Sequence, residues 1–162
     1  MLYPNLDLRG ILVGDFFTLT SEKSAYRLQK RDFYYSEDEA RDIAAKFKIG
    51  PVISAEDFRE RGNINQHTFL IQADNGSGPK RYLLQRINQA VFTRPQNVMA
   101  AMIACIESQN QSLRSKPMPK GESWEAIELI STHEDHPYLI HKDHHGDTYW
   151  RLMVMIENCH TY

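Results

Sequence analysis

The sequence predicts an α+β fold, a twisted antiparallel sheet of about five strands with helices packed on it. Two observations predict it. Short runs of β-branched and aromatic residues recur between turn-forming clusters from His67 to Ile156. Two other stretches repeat their apolar residues at helical spacing, one ahead of the strands and one between the second and third of them.

The first helix is announced by Ser36-Glu37-Asp38-Glu39, a capping box in which the serine caps early amides and Glu39 reaches back. Ala40, Ile43, Ala44 and Phe47 follow on one face, and Gly50-Pro51 stops the pattern. The expected helix runs from about Glu37 to Phe47. Val52-Ile53 leads into a turn at Arg61-Gly62-Asn63, after which His67 to Gln72 reads as a strand. Asp74-Asn75-Gly76-Ser77-Gly78-Pro79 is a hairpin connection rich in residues that tolerate positive φ, and Arg81 to Ile87 is the return strand. Pro95 marks a helix start, where its missing amide costs nothing. Val98, Met99, Met102, Ile103 and Ile106 form an apolar stripe through about Leu113. After a Pro/Gly/Lys-rich loop, strands are expected at Trp124–Ile130, Pro137–Ile140 and Tyr149–Ile156, with turns at Glu134–His136 and Asp143–Asp147.

The 162 residues suffice for one domain with a core, and 41% hydrophobic with 25% charged residues is an ordinary globular profile. A net charge of −2 provides no electrostatic footprint for nucleic acid or for an acidic membrane surface. No apolar run approaches the ~20 residues of a membrane span. Met1-Leu2-Tyr3-Pro4-Asn5-Leu6-Asp7 has neither the basic start nor the apolar stretch of a secretion signal. Cys105 and Cys159 make no framework or metal spacing, so the expected compartment is the reducing cytoplasm. Residues 1–35 carry no motif. Ile11–Val13 and Phe16–Thr20 have strand composition, Ser21–Arg31 suits a helix, and the segment is read as an extension preceding a domain at 36–162.

Chemistry concentrates at two places. Gly62-Asn63-Ile64-Asn65 forms a turn whose glycine lets the backbone approach a ligand while the asparagines offer hydrogen bonds. By itself such a turn equally marks an ordinary hairpin. The return strand then carries Leu84-Gln85-Arg86-Ile87-Asn88, where alternation puts Leu84 and Arg86 on one face and Gln85 on the other. An arginine there can fork onto phosphate oxygens, or stand as a solvated charge.

These pieces resemble the aminoglycoside-phosphotransferase superfamily, in particular its N-acetylhexosamine-kinase-like branch. The resemblance rests on the Gly62–Asn65 turn, Leu84-Gln85-Arg86-Ile87-Asn88, Val91-Phe92, Pro95, Val98-Met99, Tyr149-Trp150-Arg151 and Ile156-Glu157-Asn158, in order, and covers Ser36 to Tyr162. It implies a protein-kinase-like N-terminal lobe and transfer of the γ-phosphoryl group of ATP, with magnesium, to a hydroxyl of a sugar or similar small molecule. It also implies residue roles. Gly62, Asn63, Ile64 and Asn65 cover the phosphates, and Arg86 holds them. The main chain of Met155, Ile156, Glu157 and Asn158 receives the adenine edge.

The chain departs from the family pattern in three ways. The stretch between Asn65 and Thr68 is about one residue longer than the family's usual one. The helix reads Met99-Ala100-Ala101-Met102 where relatives often carry polar residues, leaving Glu107 as its one carboxylate. His145-Gly146-Asp147 copies the opening of the family's catalytic loop, but the position of the loop's asparagine is taken by Leu152. The catalytic aspartate, asparagine and metal ligands are therefore expected on a further lobe beyond Tyr162. The expectation is an N-terminal fragment of an ATP-dependent phosphotransferase, without catalytic residues of its own. The alternative is a non-catalytic, pseudokinase-like module or half of a split kinase with a complementary C-terminal lobe as partner. A small lobe alone is expected to expose apolar surface around Leu152, Val154 and Ile156 and to self-associate, unless the N-terminal segment covers that face. The histidines at 133, 136, 141, 144 and 145 read as solvated turn residues, with a surface zinc site as the rival.

Overall fold

A computed structural model describes residues 34–58, 64, 65, 67–115, 124–143 and 146–157. The described residues from Tyr35 onward belong to one compact unit.

Helix α1 (Glu37–Ala44) begins at the predicted capping box. The Ser36 hydroxyl accepts from the Glu39 amide at 3.2 Å, and the Glu39 carboxylate accepts from the Ser36 amide at 2.8 Å. Glu37, Asp38 and Glu39 place negative charge at the positive end of the helix dipole. The helix stops short of the expected Phe47. The Lys48 amide donates to the Ser131 carbonyl at 2.8 Å and the His133 amide to the Lys46 carbonyl at 3.0 Å, so the chain is captured by another segment before another helical turn forms. Phe47 still belongs to the buried stripe, but it reaches the core from an isolated bridge to Thr132. Gly50 follows where the chain crosses the end of a strand. A Cβ at Gly50 would stand 1.4 Å from the Asp74 carbonyl oxygen, so only glycine fits.

The sheet has six strands, β1 (Val52–Asp57), β2 (Thr68–Asp74), β3 (Pro79–Arg86), β4 (Leu129–Ile130), β5 (Leu139–Asp143) and β6 (Gly146–Val154). Every pairing is antiparallel. The order is β1-β2-β3-β6, with β4 and β5 sharing the other side of β6. The strand beyond the expected five is β1. Ser54-Ala55-Glu56-Asp57 has little intrinsic strand preference, and pairing with Phe69–Gln72 imposes the conformation. Conversely, of the strand expected at Trp124–Ile130 only Leu129–Ile130 pairs, opposite Met153 and Leu152, because the antiparallel register carries residues 124–127 past Val154, where β6 ends. Trp124 is 66% exposed.

The turns follow their sequence chemistry. The Asp74 side chain accepts from the Gly76 amide at 2.9 Å and the Asn75 side chain from the Ser77 amide at 3.0 Å, while Gly76 and Gly78 take φ of 84° and 121°. Gly146, at φ 108°, turns β5 into β6, and Asp147 sits opposite Lys142 on the hairpin. That is the hairpin role expected for the glycine of His145-Gly146-Asp147; His145 lies outside the described residues.

Helix α2 (Pro95–Ser115) connects β3 to β4 and starts at the predicted proline. The two helices lie on opposite faces of the sheet. Under α1, Ile43, Phe47, Phe69, Ile71, Leu84, Trp150 and Leu152 are almost wholly excluded from solvent. On the other face Ile87, Met99 and Tyr149 form a small buried cluster, with Phe92, Met102, Leu129 and Tyr138 packed around it, and Thr68 and Met153 are buried as well. The apolar exposure expected around Leu152 is absent, because β6 is an interior strand and Leu152 points under α1. Val154 and Ile156 are half-buried.

Candidate functional site

Of the residues expected to cover phosphates, Ile64 and Asn65 are described, and Gly62 and Asn63 lie outside the described residues. Ile64 and Asn65 are fixed to the end of β3. The Asn88 side-chain amide donates to the Ile64 carbonyl at 2.7 Å, and the Asn88 main-chain amide donates to the Asn65 side chain at 3.3 Å. The Leu84–Asn88 motif thus ties the β1–β2 connection to the strand, which is a local reason for its terminal asparagine.

At the other end of β3, the Met155 amide donates to the Arg81 carbonyl at 3.0 Å. The Arg81 guanidinium meets both Glu157 carboxylate oxygens at 3.2 Å, an exposed pair. Met155 and Ile156 are half-buried, Glu157 is exposed, and Asn158 lies outside the described residues. The two expected ends of the site therefore sit at opposite ends of the adjacent strands β3 and β6. Arg81 and Arg86 are five residues apart, roughly 17 Å along an extended strand.

Between these ends, the side chains on the α2 face fall into rows, since directly opposed residues of antiparallel strands share a face. One row is apolar, Leu70–Leu83–Met153–Leu129. The next is polar, Thr68–Gln85–Arg151. The polar row is a continuous chain of hydrogen bonds. Thr68 Oγ1 donates to the Asn65 carbonyl at 3.3 Å, and Gln85 Nε2 donates to Thr68 Oγ1 at 3.2 Å. Arg151 donates to Gln85 Oε1 through Nε at 3.1 Å and also through Nη2, and its Nη1 approaches the Met102 sulfur of α2 at 2.9 Å. Burial pulls the Arg151 pKa below its ordinary value.

Arg86 lies on the opposite face. As alternation predicts, it shares that face with Leu84, and Leu84 is fully buried in the core beneath α1. The Arg86 guanidinium carbon sits 5.5 Å from the centre of the Tyr35 ring. Gln85, expected to face a helix or solvent, faces α2. A ligand lying over the α2 face would meet Gln85 and Arg151 before Arg86.

Tyr35 is the centre of a cluster that the sequence reading missed. Its ring stands edge-on to Trp150 at 4.8 Å and to His67 at 5.6 Å. Its hydroxyl donates to Asp143 and lies 3.4 Å from Thr148 Oγ1, which also accepts from the Trp150 indole at 3.1 Å. Burial, reinforced by the Asp143 carboxylate, pushes the tyrosine pKa up to about 12. The one available signal was position: Tyr35 directly precedes the helix cap, where a large apolar residue often fixes the entry of the chain.

Of the clustered histidines, His133 and His136 flank a turn, His141 lies half-buried in strand β5 rather than in a turn, and those at 144 and 145 lie outside the described residues. His133 Nε2 lies 3.2 Å from the Ala45 carbonyl, and exposed His136 is 3.8 Å from Glu134. Among the described residues no three His, Cys, Asp or Glu side chains converge as metal ligands. Glu107 is exposed on the distal half of α2. No helix among the described residues is long and apolar enough to cross a membrane. No protein-family model matches this chain, and no curated protein does.

Proposed function

We propose that this chain is a nucleotide-binding small lobe of a small-molecule phosphotransferase, and that the nucleotide lies on the α2 face of the sheet. The observation that carries the reading is the layout of that face. An apolar row, half-buried at Leu70 and Leu83 and buried at Met153, offers a surface for a base. It crosses the strands between the Met155–Glu157 segment on one side and the polar row with the Ile64–Asn65 connection on the other. A base against the first and phosphates against the second would use the length of β3.

Three features of the resemblance are consistent with this reading. The turn, the strand with its Gln-Arg pair and the helix after it occur in the order that the chemistry requires, a backbone cover, a polar strand and a positioning helix. The last strand, β6, lies beside β3, which brings the segment expected to receive adenine next to the start of β3. Arg86 enters the reading as a residue that closes the α1 side over Tyr35, so the cation for the phosphates has to come from the other face. The acceptor in this reading is the hydroxyl of a sugar or similar small molecule, and ATP is the donor.

Calorimetric titration of the chain with ATP, with and without magnesium, tests the proposal. Saturable one-to-one binding that survives magnesium chelation is expected, because among the described residues no three His, Cys, Asp or Glu side chains converge to hold a metal. Absence of any ATP binding in either condition would overturn it.

A further inference from the structure

We infer that Arg151 of β6, aimed by Gln85, is the residue that receives phosphate oxygens on the α2 face. This rests on the nucleotide reading above and names the cation that reading needs.

Arginine carries five N–H donors and stays charged at neutral pH. In this structure Arg151 spends its Nε and one Nη2 hydrogen on a single neutral acceptor, Gln85 Oε1, and points Nη1 at a weak one, the Met102 sulfur. No carboxylate forms an ion pair with it among the described residues. By contrast Lys48, Lys80 and Arg81 each meet an acid. A half-buried cation with neutral partners is an expensive arrangement unless something anionic completes it. The burial that lowers its pKa is the same condition that strengthens an anion's attraction to it.

The aim of the side chain follows from its neighbours. Gln85 is itself fixed, because its Nε2 donates to Thr68, which is fixed to Asn65. The amide oxygen of Gln85 therefore has one orientation, and it holds the Nε edge of the guanidinium. The remaining donors, on Nη1 and Nη2, form the fork that matches phosphate oxygens. The same chain of bonds joins the cation to the Ile64–Asn65 connection, so backbone cover and cation would close on a phosphate together. The ligand class is a polyphosphate, with the nucleoside end toward Leu83 and Met153.

The test compares ATP, adenosine and inorganic tripolyphosphate as titrants for the wild-type chain and for Arg151→Met, Arg151→Lys and the surface control Lys142→Met. Circular dichroism verifies the fold of each. Arg151→Met is expected to weaken ATP and tripolyphosphate by about tenfold to a hundredfold. It should leave adenosine within about twofold, since the base row is untouched. Arg151→Lys, which keeps the charge and loses the fork, should fall between. Lys142→Met should match the wild type. Should Arg151→Met not fold, the Arg151 Nε–H resonance of the isotope-labelled wild-type chain provides the readout, and it should shift on adding tripolyphosphate. Equal ATP affinity in wild type and Arg151→Met, or an unmoved resonance with ATP bound, overturns the Arg151 assignment and leaves the nucleotide reading standing. A wild-type chain that binds none of the three titrants overturns both.

Discussion

The two faces of the sheet use their residues differently. Beneath α1, Trp150, Phe69, Ile71, Leu84 and Leu152 interlock with Ile43 and Phe47, and Tyr35, Thr148, Asp143 and Trp150 are joined by hydrogen bonds. Beneath α2, Thr68 and Met153 are buried beside the small cluster of Ile87, Met99 and Tyr149, the apolar row is half-buried at Leu70 and Leu83, and the Arg151 guanidinium lies within the layer without an ion pair among the described residues. Both faces arise from the same strands, with alternate residues assigned to each. The first face is built for stability. The second combines apolar and polar rows that add little to packing, which is the composition of a surface that meets something else.

Substitutions can break this contrast or sharpen it. Trp150→Ala removes the largest wholly buried side chain and should cost about 3–5 kcal/mol in urea unfolding. Leu83→Ala, on the half-covered row, should cost below about 1.5 kcal/mol. Similar losses for the two would remove the distinction between the faces. Tyr35→Phe deletes a hydrogen bond to a carboxylate and should cost about 1.5–3 kcal/mol. It should also change the pH profile in one direction. The phenol's pKa is raised from 10.0 to about 12 in the folded chain, so its contribution is fully present below pH 10 and is lost as pH rises toward 12. The stability difference between wild type and Tyr35→Phe should shrink across that window, and a difference that stays constant would show that the phenol is not held neutral. The smallest effect is expected from Ser36→Ala, about 1 kcal/mol by thermal melting, because the cap anchors the helix that closes the stable face without itself being buried.

Much of the fold was legible because its signals are local. The Ser36–Glu39 box, the Asp74–Pro79 connection and Pro95 each act within a few residues, and each forms the expected structure. What was illegible depends on partners distant in sequence. Glu56 and Asp57 are strand residues because β2 lies beside them. Trp124 is not, because the register of β4 carries it past Val154, where β6 ends. Phe47 fulfils its apolar role outside the helix that its spacing suggested. The candidate site shows the same limit. Alternation stated that Leu84 and Arg86 share a face and that Gln85 does not, and the structure agrees. Which face would receive the connecting helix is set by the crossover from β3 to β4, and no pattern along Leu84–Asn88 encodes it. Arg151 was visible as part of Tyr149-Trp150-Arg151, but its position opposite Gln85 follows only from the register of β6 on β3.

The long helix has a consequence for motion. Pro95 and Met99 are its buried residues, and both belong to its first two turns. From Ala104 to Ser115 it is held chiefly by its own hydrogen bonds, with exposed residues at most positions. Such a helix opens from its free end, so amide exchange along it should form a gradient, slowest near Met102 and fastest at Ser115. The slow end is the turn that touches Arg151. Any ligand that draws the Arg151 guanidinium away from Met102 would therefore register along the whole gradient, making the helix a reporter of the sheet face beneath it.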